Sequence, residues 1–379
     1  MPSIIELEEM IKGMDNRTTF DRIFEVSSSV GEFTVPNTFS GKAWEYFATR
    51  DKEGRIVENP DAVYKRLEKQ KIVRVLNKVA YEGALFNELR ASRPGMSRGN
   101  IEKERKRVDQ HIEEKLKGCD FCYPKQYTPT DTIGRVEGQH CITAANIAKY
   151  DGWHSVVIFE EHNPLQFSLE QVSDYIETAF RWFVQVHEAD PEAKSPFFMW
   201  NCLEKSGASL IHGHAHVLMA RGQSYSKYRA LLDTARRYKE ETEADYIDDL
   251  WKVHNALGLG IQNKDARVSI SLTPIKERET IITAPCRDLA NIGEREHLRE
   301  SVYNVLKCFT EDEGVHSFNV AIQMRPFGST DDTLPYIVRI VDRGSIFKST
   351  ADIGGMELYT EPVLGTDPFR VAESLKKHF

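Results

Sequence analysis

Three histidines fall on alternate positions in the run His212-Gly213-His214-Ala215-His216. A strand repeats every two residues, so on a strand the three imidazoles share one face, with only small residues between them. Upstream, Asn201 and the turn Ser206-Gly207-Ala208-Ser209 supply hydroxyls and backbone N–H groups suited to phosphate oxygens. Histidine beside such donors suits attack on phosphorus. Imidazole is nucleophilic near neutral pH, and fixed donors meet the phosphoryl charge. Three histidines on one face equally suit a metal site with an open position. Spacing alone leaves both roles open, while the lack of HExxH argues against a zinc protease.

The chain has 379 residues, more than a single core usually spans, which predicts two domains. The expected division is an N-terminal extension over 1–70, a first domain over 71–235 and a second over 236–379. A net charge of −8 disfavours nucleic acid as a partner, yet a few arginines in a pocket suffice for a small phosphorylated ligand. No apolar run approaches a membrane span, and MPSIIELEEMIKGMD does not read as a signal peptide, so a cytoplasmic location is expected. Of six cysteines, only Cys119 and Cys122 are close, in CDFC, which reads as half a metal site or a redox pair. Cys141, Cys202, Cys286 and Cys308 are expected to be buried small hydrophobes.

The hydrophobic pattern predicts an α+β fold with mostly antiparallel sheets. KIVRVLNKVAYEGALFNELRASRP, HSVVIFEEH, PFFMWNC, HAHVLMA, RVSISLTPI, HSFNVAIQM and PYIVRIV read as strands. Ser168 with Gln171 makes a capping box for a helix over SLEQVSDYIETAFRWFVQVHE. Further helices are expected in RGNIEKERKRVDQHIEEKLKG, from about Ser224 to Asp249, in REHLRESVYNVLKCF and in DPFRVAESLKKHF. Residues 1–70 are charged and loosely patterned.

The pattern Asn201-x5-Gly207-x-Ser209-x2-His212-x-His214 resembles the active-site signature of the galactose-1-phosphate uridylyltransferases, a family within the histidine-triad superfamily. RVLNKVAYEGALFNELRASRP, CDFC, HSVVIFEEHNP and GGMELYTEPVLGTDPFRVAESLK resemble further segments of that family in its order, from about residue 70 onward. The resemblance implies two histidine-triad-like α+β halves in one chain. It implies one structural zinc ion held by Cys119, Cys122, His162 and His212. His214 would form a covalent nucleotidyl-histidine from a nucleoside-diphosphate sugar, and a phosphate-bearing acceptor would then take the nucleotide. Ser209, Gly207, Asn201, Arg90 and Arg93 would serve the phosphates, and a homodimer is an option.

Three departures bear on the substrate. The uridylyltransferases carry glutamine where this chain has His216, and a third histidine is the pattern of histidine-triad hydrolases and some dinucleoside-polyphosphate phosphorylases. There it can donate a proton near the leaving group. The strand LPYIVRIVD lacks the histidines of a second metal site, so none is expected. Met356 replaces an aromatic residue before Glu357, the candidate for sugar hydroxyls. TAANIAKYDGWH resembles a segment near the nucleotide, with Asn146 and Tyr150 as candidates, and Arg343 is a candidate for a phosphate or a salt bridge. The competing functions are phosphorolysis or hydrolysis of nucleotide-sugars or dinucleoside polyphosphates, and a catalytically silent zinc-held nucleotide-binding protein.

Overall fold

The structure is a computed structural model that describes residues 2–49, 55–90, 101–285, 289, 291, 293–348 and 353–379. Arg93 and Cys286 lie outside them. The strands are β1 Phe24–Glu32, β2 Lys69–Asn77, β3 Glu82–Phe86, β4 Cys141–Ala145, β5 Trp153–Phe159, β6 Ala193–Cys202 and β7 His214–Arg221. They continue with β8 Gly260–Asn263, β9 Ala266–Ile270, β10 Thr280–Ala284, β11 Phe318–Gln323, β12 Tyr336–Asp342 and β13 Val363–Leu364.

Nine strands form one sheet in the order β4-β5-β7-β6-β11-β12-β10-β9-β8, with every neighbouring pair antiparallel. The fold is the expected α+β. The β6–β11 pairing joins the strands of the first half to those of the second, from Phe318 opposite Cys202 to Gln323 opposite Phe197.

Helices cover one face of this sheet. Leu169–Ala189 begins at the predicted capping box, in which both reciprocal hydrogen bonds form. Val172, Ile176, Ala179, Phe183 and Val186 recur at helical spacing and are buried, as a stripe facing a core must be. Phe159 of β5 stacks on Tyr175 of this helix with centroids 3.7 Å apart. In the second half, Glu296–Lys307 lies beside it, and buried Arg295 locks the two together. Its guanidinium donates to both carboxylate oxygens of Glu177, at 3.0 and 2.6 Å.

Strand alternation then sets the other face. Ala215, Val217 and Met219 of β7 point toward the helical layer, whereas His214, His216 and Leu218 point away from it. The strand starts at His214 rather than at His212, so His212 sits in the preceding bend and escapes the alternation rule.

A four-stranded sheet, β1-β2-β3-β13, packs beside the large one. The segment before residue 70 contributes β1, which pairs with β2 along its whole length. Asn77 donates to the Tyr246 hydroxyl at 2.8 Å, and Arg339 of β12 pairs with Glu82 at 2.9 Å, which ties this sheet to the second half. The helical stretch expected from Ser224 to Asp249 is two helices, Ser226–Thr242 and Tyr246–Ala256. The break falls at Glu243 (φ +60°), and Asp245 caps the second helix by accepting from the Asp248 N–H. Among the described residues, no helix is long and apolar enough to cross a membrane.

Candidate active site and metal cluster

Cys119 precedes and Cys122 ends a single 3-10 turn, Asp120–Cys122, which turns both thiols toward the bend before β7. The Cys119 Sγ lies 3.4 Å from His212 Nδ1, and the Cys122 Sγ lies 3.5 Å from the Nδ1 atoms of both His162 and His212. The two Nδ1 atoms are 3.1 Å apart, and all four ligand atoms fall within 4.8 Å of one another. Bonds of about 2.0–2.3 Å to a tetrahedral zinc would space such donors about 3.3–3.8 Å apart.

The outer hydrogen bonds agree with this. His212 donates from Nε2 to the Phe159 carbonyl at 2.7 Å, and His162 donates from Nε2 to the Ile112 carbonyl at 3.3 Å. Both Nδ1 lone pairs therefore face the thiols, the orientation that metal-bound histidines receive from such partners. Burial and the neighbouring Cys119 push the Cys122 thiol up to about 11, and burial holds His212 down at about 4. A cation among these groups would offset both effects. The residues can hold one metal ion, and as a closed set of two sulfurs and two nitrogens they suit a structural role.

Next to the cluster, Gly213 allows the chain to pass β5. A Cβ there would meet Phe159 Cδ2 at 2.6 Å and the Glu161 carbonyl at 3.2 Å. The chain then enters β7 at His214, whose Nδ1–H donates to the His212 carbonyl at 2.8 Å. That bond leaves Nε2 as the nitrogen with the free lone pair. Burial lowers the His214 pKa, so the ring is the neutral base, the form that attacks electrophiles. Phe121, from the cysteine turn, packs edge-on against His214 with centroids 5.3 Å apart.

The turn upstream is held from the second half of the chain. Asn319 of β11 donates to Asn201 Oδ1 at 2.6 Å and to the Ser206 carbonyl at 3.0 Å, and Arg343 donates to Asn319 Oδ1. Gly207 sits at φ +100°, a left-handed conformation that side chains resist. Ser209 is exposed, and its hydroxyl bonds no described residue.

His216 belongs to a chain of hydrogen bonds whose inner member the sequence reading passed over. The Tyr150 N–H donates to His154 Nδ1 at 2.9 Å, so His154 carries its proton on Nε2. That Nε2 lies 3.0 Å from His216 Nδ1, which must accept. His216 therefore presents an Nε2–H. Burial holds His154 at about 4 and His216 at about 3, so both rings are neutral. Tyr150 is exposed and caps the pair, with its ring 4.5 Å from His154 and 5.8 Å from His216. Asn146 Nδ2 lies against the His154 ring at 3.1 Å. A signal for His154 existed: it opens a strand whose alternate residues must oppose those of β7. The register itself is non-local.

Arg90 is half-buried at the end of the turn Glu88–Arg90. Glu357 caps the short helix Gly355–Tyr359, accepting from the Gly354 N–H at 3.0 Å, and pairs with Lys276 at 3.7 Å. A second donor group, Cys308, Asp312 and His378, gathers near the last helix, where His378 pairs with Asp312 at 2.9 Å. Cys141, Cys202 and Cys308 are buried, as expected.

The fold is shared with several solved structures. An ADP-glucose phosphorylase from Arabidopsis thaliana, solved with bound ADP-glucose, is similar at a TM-score of 0.59 and 15% identity, over 80% of this chain and 97% of that one. A galt-like protein from Arabidopsis thaliana is similar at 0.56 and 17% identity, over 69% and 93% of the two chains. A uridylyltransferase is similar at 0.54 and 14% identity, over 66% and 88%. At these identities the likeness is one of fold. No family model matches the sequence, and no curated protein matches it.

Proposed function

We propose that this protein transfers a nucleotidyl group between phosphate compounds through a covalent intermediate on His214. The observation that carries the proposal is the pairing of a buried, neutral imidazole having a free Nε2 with a neighbouring ring that offers a fixed Nε2–H. The donor is a nucleoside-diphosphate sugar or a dinucleoside polyphosphate.

His214 Nε2 attacks the α-phosphorus. The N–P bond forms as the bond to the leaving phosphate oxygen breaks, and that oxygen keeps the electron pair. The nucleotidyl-imidazolium is positive, and its Nδ1–H already rests on the His212 carbonyl. His216 donates its Nε2–H to the phosphate or the leaving oxygen, a hydrogen bond that strengthens as charge develops there. Ser209 and the backbone at Gly207 bind phosphate oxygens, Asn201 holds the turn through Asn319, and Arg90 and Arg93 neutralise charge. An acceptor phosphate then attacks the same phosphorus and restores His214. Where the acceptor is inorganic phosphate or water, the outcome is phosphorolysis or hydrolysis, and His216 in place of glutamine favours these acceptors.

Zinc is the metal proposed for Cys119, Cys122, His162 and His212, because two thiolates and two imidazoles suit it. When bound, it cross-links the cysteine turn to the bend before His214 and performs no step.

The test is stereochemical. Two displacements at phosphorus retain configuration, and one inverts it. A donor with sulfur in place of one α-phosphate oxygen should give product of retained configuration. Inversion would mean direct transfer without a histidine intermediate.

A further inference from the structure

Beyond His216, on the same face of the sheet, the structure opens into a chamber of about 470 Å³. Its place follows from strand register. His214, His216 and Leu218 succeed one another along β7. Across the sheet, Leu218 faces Phe197, His216 faces Met199, Phe197 faces Gln323, and Met199 faces Ala321. The chamber is lined by these residues beyond His216, with Tyr150 and Tyr225 as its side walls. Asp151 accepts from the Tyr225 hydroxyl at 3.0 Å, which fixes one wall to the turn that carries the other. A largely apolar cleft of this volume falls in the size range of small-molecule sites.

We infer that this chamber holds a second nucleobase, carried by the half of the donor that leaves, which makes the preferred donor a dinucleoside polyphosphate. The inference rests on the nucleotidyl transfer proposed above. The order along β7 sets which half enters. His214 takes the transferred phosphorus and His216 faces the leaving oxygen, so the group beyond His216 is the leaving group.

Wall chemistry selects the occupant. A hexose has a hydroxyl on nearly every carbon, and each one buried without a partner loses the hydrogen bonds it made to water. Phe197, Met199, Leu218 and the tyrosine rings offer faces for stacking, and several polar side chains of the wall are already engaged, Ser195 with Ser224, Asn319 with Asn201, Arg339 with Glu82 and Tyr225 with Asp151. A base has two apolar faces and one polar edge. One amide is placed for that edge: the Gln323 side chain lines the chamber and bonds no described residue. Its carbonyl and amino group can pair with the edge of adenine as a glutamine does in a DNA groove. Lys227, exposed at the rim and paired with no described residue, faces the polyphosphate that must cross from His216.

The experiment compares donors that transfer the same nucleotide and differ in the leaving half. These are diadenosine tetraphosphate against ADP-glucose, and diuridine tetraphosphate against UDP-glucose. The ratio of kcat/KM values is read in the wild type, in Ala321→Trp, which fills the chamber, and in Gln323→Leu, which keeps its volume and removes the amide. The expected result is at least a tenfold preference for one dinucleoside donor, reduced at least fivefold by either folded variant. Preference for the sugar donor, or a ratio that neither variant moves, overturns the inference and leaves nucleotidyl transfer standing. Transfer from none of the four donors overturns the proposed function, and this inference with it.

Discussion

His154 Nε2 and His216 Nδ1 lie 3.0 Å apart inside the sheet, and the Tyr150 N–H on the far nitrogen of His154 decides which of them holds the proton. His154 is a positioning residue, because it acts only through the tautomer of His216. His154→Phe should lower kcat by about 10- to 100-fold, no more than the low end of full proton-donor assistance, because His216 itself stays in place. The loss should be largest for donors with the most basic leaving group and leave metal content unchanged. Equal losses for all leaving groups would assign His154 a packing role only.

The passage of Gly213 beside Phe159 gives a second test. Gly213→Ala places a methyl 2.6 Å from Phe159 Cδ2, and relief requires that ring, stacked on Tyr175, to shift. Overpacking of this kind costs about 1–3 kcal/mol, read as a lower midpoint of unfolding in urea. Activity should fall further than stability, since the displaced residue adjoins His214. Unchanged stability and activity would show that the passage is looser than described.

Purified protein should carry about one zinc per chain. Cys119→Ser should strip it and lower Tm together, because the ion binds the folded chain alone. Elemental analysis of gently prepared wild type settles the point, and a metal-free protein of undiminished Tm would remove the four-ligand assignment.

Acid should weaken the fold in a defined window. Burial holds His154 and His254 at about 4 and His216 at about 3, whereas in the unfolded chain each titrates near the usual value of about 6.5. Both nitrogens of His254 are engaged, with Nδ1 donating to the Leu250 carbonyl at 2.7 Å and Nε2 accepting from the Leu272 N–H at 3.2 Å. As pH falls below about 6.5, the unfolded chain binds protons that the folded chain refuses. Stability is therefore full above that pH and declines toward pH 4. Calorimetry from pH 7.5 to 4.5 should show Tm falling with acid, less steeply in His154→Phe. A flat profile would mean that these rings are hydrated.

The parts of the site that were legible in the sequence are those carried by short spacings. The Ser168 capping box forms where its spacing places it, and the CDFC pair gathers with His162 and His212, whereas His212 itself leaves the strand alternation that its spacing suggests. What the sequence hid depends on register. Nothing local to His154 says that it pairs with Leu218 of β7, diagonal to His216. Nothing local to Asn319 says that it reaches back across β6–β11 to Asn201. The same holds for β13, which pairs with β3 across most of the chain, and for β10, whose ETIITAP is too short to stand out. Glu357 is a case of a different kind. A residue flagged by its neighbours in sequence is engaged as a helix cap and an ion-pair partner.

The central claim is a covalent bond between His214 and a nucleotide. Intact-protein mass spectrometry after rapid, acid-free quenching tests it most directly, with diadenosine tetraphosphate, ADP-glucose and UDP-glucose as donors and no acceptor added. The account predicts an added mass equal to AMP or UMP on the wild type and none on His214→Ala. An adduct that survives in His214→Ala, or donor consumed by the wild type with no adduct on any millisecond time point, would contradict it.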